Sequence, residues 1–276
     1  MFTRIRLISM LAAGLMGFGL TGKLCAATRT FTASSGDWSA DGNWLNSLKP
    51  VTGDDVVINT NSACTYDLTS SEPDVKSLTV SSGASIVIGS GKSLELASDD
   101  ISNSTLTGNI TLTSSTSGIN VKGTHTIGGS GKIIGQDDSA SIIVTDGKTP
   151  TLDSGATIEG KLKIVNSGTD ATFKNLGTVH ANASGTLWVN TYTIQDASSG
   201  SGLWKVSTSS SVLRFDPSFV SRHFVAPAVL SGDFTLEAGE LDVDCPGLTT
   251  SGTLTWTGGI VNCATNNGGP ATFTGS

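Results

Sequence analysis

Histidine occurs three times, tyrosine twice and cysteine four times in the 276 residues of this chain, and charged residues make up only 14% of it. No Cys-x-x-Cys or paired Cys/His spacing is present, which leaves no pattern for a zinc site. Beyond residue 6, arginine stands only at Arg29, Arg214 and Arg222, and the net charge is −7. Such a surface repels nucleic acid and anionic lipid. No stretch after the first 30 residues is rich in the strong helix formers, which excludes a helical bundle. No glycine-rich phosphate loop, Walker motif or metal-binding helix motif occurs.

Serine, threonine and glycine are abundant, together about two fifths of the chain. Threonine, valine and isoleucine favour strands. A mean hydropathy of +0.07 and regularly placed apolar residues argue against disorder. One phrase keeps returning: a glycine, one or two small polar residues, then two apolar residues flanking a polar one. It runs from Gly83 through Ile86, Val87 and Ile88, and from Gly91 through Leu94, Glu95 and Leu96. Copies follow at 108–112, 160–164, 185–189, 239–243 and 252–256. Each reads as a turn and a short strand with alternating faces. A single copy cannot bury its apolar face, whereas stacked copies can. The expected fold is therefore all-β, a solenoid of stacked coils with an N-terminal capping segment.

Residues 1–26 read as a secretory signal peptide. Arg4 and Arg6 form a positive region, an apolar run follows from Leu7 to about Leu20, and Cys25, Ala26 and Ala27 supply small residues for cleavage. The run is too short for a membrane span, and no later segment is apolar enough for one. Cleavage would leave 13 basic against 23 acidic residues, a net of −10. Lys23 and Leu24 make a poor lipobox before Cys25.

Residues 27–58 form the capping segment. Trp38 and Trp44 precede Pro50 and the apolar run Val56, Val57, Ile58. The two tryptophans suit either a plug for the open end of a solenoid core or a platform on which a glycan could stack. Residues 59–276 read as β-helix repeats, with an irregular stretch from Pro217 to Pro227 that holds Arg222 and His223. The last residues look like the middle of another copy, so the repeats are expected to be truncated at the C-terminus. Cys245 and Cys263 lie 18 residues apart, about one coil on this reading, and are candidates for a disulfide between adjacent coils. Two small buried core residues are the plainer alternative. Cys64 is left unpaired.

The opening pattern of Asp37, Trp38, Gly42, Asn43, Trp44, Pro50 and Gly53 to Ile58 resembles the start of large bacterial secreted β-helix proteins, autotransporter-passenger-like and haemagglutinin-like surface proteins among them. The phrases at 175–179 and 251–259 are similar to their repeats. The resemblance covers most of the mature chain and implies a right-handed parallel β-helix at or beyond the cell surface. Such proteins often end in a C-terminal barrel or sorting tail, which this sequence does not contain.

Candidate chemistry is sparse. Asp54–Asp55, Asp99–Asp100 and Asp137–Asp138 are acidic pairs, and Glu240, Asp242 and Asp244 alternate along one strand. Carboxylates gathered from several coils could bind calcium or perform acid/base work. Neighbours in a strand point to opposite faces, however, so one member of each pair is expected to be a turn residue. His125, His180 and His223 are isolated, and no catalytic motif surrounds them. No catalytic, cofactor-binding or metal-binding residue is assigned. The functional expectation is a non-catalytic secreted or cell-surface protein, adhesin-like or structural, with polysaccharide or another cell's surface as ligand and no nucleic-acid partner. The alternative is a carbohydrate-active enzyme of the pectate-lyase-like type, or its accessory region. That alternative requires at least two carboxylates and one Arg or Lys converging in a groove.

Overall fold

The computed structural model describes residues 26–68, 73–96, 102–168, 170–191, 193–196, 202–215, 228–230, 232–243, 248–250, 252–263 and 271–273. Among them almost every regular element is a strand, apart from two short 3-10 turns at Asp41–Asn43 and Leu45–Ser47. Every strand pairing is parallel, except one isolated antiparallel bridge between Phe31 and Trp44. Parallel pairing of successive short strands means that the chain returns to the same place after each coil. It winds as a β-solenoid with three strands to the coil.

Three faces result. The first is an eight-stranded sheet that begins with Thr28–Phe31, Asp55–Ile58 and Ser77–Val80 and runs to Thr193–Asp196. A three-stranded sheet of Ala228–Leu230, Leu248–Thr250 and Ala271–Phe273 supplies the corresponding strands of later coils. The second and third faces form one 17-stranded sheet. They are joined because Lys132–Val144 and Thr157–Asn166 run unbroken round the corner between them.

The alternation read from the sequence is what fills the core. On the second face Cys64, Ile86, Ile110, Ile133, Ile158, Val179 and Trp204 lie in register and point inward. All seven are buried. On the third face Leu94, Ile119, Ile142 and Ile164 make a second such stack. Each buried aliphatic side chain contributes about 1.5–3 kcal/mol, so stability accumulates coil by coil.

Gly160 begins one copy of the repeated phrase but stands inside a strand instead of a turn. It has φ +93° and is paired with Gly135 of the previous coil, and a Cβ on Gly160 would lie 2.1 Å from the Gly135 carbonyl oxygen. The two glycines leave room for the bend at the corner, which is why the strand passes through it.

The N-terminal coil holds an aromatic cluster. Trp38 is 0% and Trp44 2% exposed. Their rings meet edge to face at 5.0 Å, and Phe31 and Tyr66 lie at 5.2 and 5.1 Å from Trp44 and Trp38 respectively. The Trp44 indole N–H donates to the Trp38 carbonyl at 2.7 Å. Both rings fill the core at its first coil, so neither presents a face for a glycan to stack on.

The coil length is not constant. Leu203 pairs with Asp233, and Phe234 with Leu254, so coils run from 20 to 30 residues. Cys263 therefore stands opposite Val243 and not opposite Cys245. The spacing of 18 that suggested a bridge is two residues short of the local coil. Cys245 itself lies outside the described residues, as do Asp99, Asp100, Arg222, His223 and Asp244. Cys64 is a free, buried cysteine, and burial, with Asp67 and Asp37 nearby, pushes its thiol pKa up. A thiol held protonated in this way is unreactive.

Candidate functional site

Outward positions form rows along the solenoid, because strands stack in register about 4.8 Å apart. Three groups of outward residues carry chemistry.

The first is on the third face near the N-terminus. Asp74, Glu95 and Asn120 stand in register on three successive coils, and Lys122 follows Asn120 by two. The Lys122 ammonium is 2.8 Å from Asp74 Oδ1 and 3.1 Å from Glu95 Oε2. Asn120 Nδ2 donates to Glu95 Oε1 at 2.5 Å. Glu95 is only 2% exposed although its strand neighbours Leu94 and Leu96 point the other way, into the core. Here two carboxylates and a lysine do converge. Burial alone would lower the Lys122 pKa, but hydrogen bonds and attraction from Asp74 and Glu95 outweigh it and raise the pKa. Lys122 is thus held as an ammonium, which suits a clamp across coils and not a proton-abstracting base.

The second group lies on the second face. Glu159, His180 and Lys205 are in register on adjacent coils. Lys132 pairs with Glu159 at 3.0 Å and Lys205 with Glu237 at 2.7 Å. His180 Nε2 is 2.7 Å from Ser207 Oγ. Burial and Lys205 lower its pKa, and Glu159 and Glu237 offset this in part. Among the described residues no carboxylate bonds the other ring nitrogen, so the third member of a hydrolytic triad is missing.

The third group is also on the third face, further along. Lys163, Trp188, Arg214 and Asp242 occupy one register row over four coils. Lys163 Nζ lies 5.1 Å from the centre of the Trp188 ring, and Arg214 Nε is 2.7 Å from Asp242 Oδ2. An aromatic ring between two cations on a sheet exterior is a pattern that individual strands do not reveal.

The remaining sequence candidates among the described residues make structural contacts. Asp54 is buried and accepts from Arg29 Nε and from the amides of Ala27 and Val51. Burial would raise its pKa, but these donors outweigh it and hold the carboxyl below the ordinary value. Asp55 accepts from Ser77 Oγ at 2.5 Å. Asp137 and Asp138 sit where the strand bulges at the corner, and Asp138 accepts from the Thr186 amide at 2.7 Å. Glu240 accepts from Asn262 at 3.0 Å. Among the described residues, no group of three or more His, Cys, Asp or Glu is placed to hold a metal ion.

His125, isolated in the sequence, finds its partners on the preceding coil. Its ring is fully buried between Ser102 Oγ, at 2.8 Å from Nδ1, and Ser104 Oγ, at 2.6 Å from Nε2. Ser104 Oγ also accepts the Leu78 amide at 2.9 Å. Burial pushes the His125 pKa down to about 4. A sealed, neutral histidine with no access to substrate organises the core.

The molecule is thus defined as a β-solenoid whose described residues include a charge clamp and two mixed outward rows. Comparison of the chain with protein-family models, with curated proteins and with solved structures finds no match.

Proposed function

We propose that this chain is a non-catalytic rod, exported by its N-terminal leader, that binds polysaccharide along its third face in an adhesin-like or structural role. The observation that carries the reading is the row Lys163, Trp188, Arg214 and Asp242. It runs along the rod axis at strand spacing. A glycan chain laid along it would meet an apolar ring and successive hydrogen-bonding groups. The pairing of carboxylates with cations of neighbouring coils weighs against an enzyme. Such pairs engage these carboxylates in contacts between coils.

The test is binding of the purified protein to a polysaccharide panel, with product analysis on the same samples. Retention is expected to fall about tenfold in Trp188→Ala, a loss near 1.4 kcal/mol, with no polysaccharide cleaved. Cleavage products that vanish in Glu95→Gln would instead establish the pectate-lyase-like alternative.

A further inference from the structure

The clamp on the third face holds the reactants of a condensation. An amine, Lys122 Nζ, touches a carboxyl, Asp74, at 2.8 Å. A second carboxyl, Glu95, lies 3.1 Å from the same amine, and its side chain is only 3% exposed. Asn120 fixes Glu95 from the far side. These are a nucleophile, an electrophile and a sheltered proton carrier, brought together by register from three coils. We propose that Lys122 and Asp74 become joined by an intramolecular amide bond, with Glu95 carrying the protons.

The step balances without a co-reactant. The Lys122 ammonium gives a proton to the carboxylate pair, and the freed amine attacks Cγ of Asp74. The tetrahedral adduct collapses with loss of one Asp74 oxygen. Of the three ammonium hydrogens, one stays on the amide nitrogen and two leave with that oxygen as water. Glu95 takes and returns protons and ends as it began. Contact between the reacting groups replaces a bimolecular encounter. The ion pair is the resting state, so the reaction starts from a rarer tautomer and proceeds slowly after folding.

Other ion pairs among the described residues do not share this arrangement. Arg29–Asp54 and Arg214–Asp242 offer a guanidinium, which is not a nucleophile. Lys132 meets only Glu159 and Lys205 only Glu237 among the described residues, so neither has a second carboxylate to carry protons. The bond would close a loop of 48 residues and trap the coil that carries Glu95 between the coils it joins. A one-dimensional stack opens from its ends. A staple here would resist that opening and, unlike a disulfide, would be indifferent to reductant.

The experiment is intact-mass spectrometry of the purified protein after prolonged incubation, under denaturing conditions. The expected mass is one water below that of the chain, with a branched peptide joining residues 74 and 122 after proteolysis. Lys122→Arg, Asp74→Ala and Glu95→Gln are each expected to restore the full mass, with circular dichroism confirming that the strands remain. Wild-type protein that keeps its full mass overturns the proposal. So does a water loss that persists in Lys122→Arg, because it would come from dehydration elsewhere.

Discussion

Acid should weaken this solenoid through His125 in a window set by one residue. The ring is fully buried, and burial brings its pKa from the ordinary 6.5 to about 4. It is neutral in the folded chain, whereas the unfolded chain takes up a proton below about pH 6.5. The stability associated with the neutral ring is fully present above that pH. It is lost as pH falls, and the loss is complete near pH 4. The fall from 6.5 to about 4 corresponds to a loss of about 3 kcal/mol. Denaturant midpoints of the wild type and of His125→Gln, measured across this range, isolate the effect. Glutamine retains a donor and an acceptor for Ser102 and Ser104 but does not titrate. His180, whose lowered pKa acts with the same sign, and the carboxylates cancel in the difference. The stability gap between the two proteins should change by about 3 kcal/mol between about pH 7 and about pH 4. Parallel pH curves would refute the reasoning.

Trp38→Ala should cost about 3–5 kcal/mol, the range for large aromatic deletions in a core, measured as a lower thermal midpoint with early amide exchange in the first coils. Gly108→Ala should cost about 1–3 kcal/mol from overpacking, because its Cβ would lie 2.2 Å from the Ala84 carbonyl oxygen and 2.5 Å from that of Ser81, neither of which can give way. Asp54 has a lowered pKa, so its contribution is present above the usual carboxyl pKa and is lost as pH falls through the folded value. Asp54→Asn should remove that dependence and speed amide exchange at Ala27 and Val51, read by mass spectrometry.

The strands were legible because their alternation is local. Ile86 with Ile88, and Leu94 with Leu96, announce their inward faces within five residues of a glycine turn, and nothing distant changes that. Coil length was not legible, because it is set by turns whose lengths vary. A fixed spacing therefore put Cys245 opposite Cys263, where the register puts Val243. Gly160 was read as a turn because glycine usually marks one, but the neighbouring Gly135 makes it a bend within a strand. The clamp was hidden because coil offsets cannot be read from spacing. Asp74, Glu95 and Lys122 are unremarkable in the chain and meet only once the offsets between coils are known. His125 seemed isolated because Ser102 and Ser104 stand more than 20 residues before it, one coil away.

The coil register on which every site depends can be measured by cross-linking. In a cysteine-free background, cysteines at Asn109 and Lys132 face each other on adjacent coils, at the strand spacing of about 4.8 Å that permits a disulfide. A pair at Thr111 and Lys132 is displaced by two residues along the strand, out of bonding range. Rapid oxidation of the first pair with none of the second is the expected result. Oxidation of the second pair, or of neither, would contradict the parallel in-register stack.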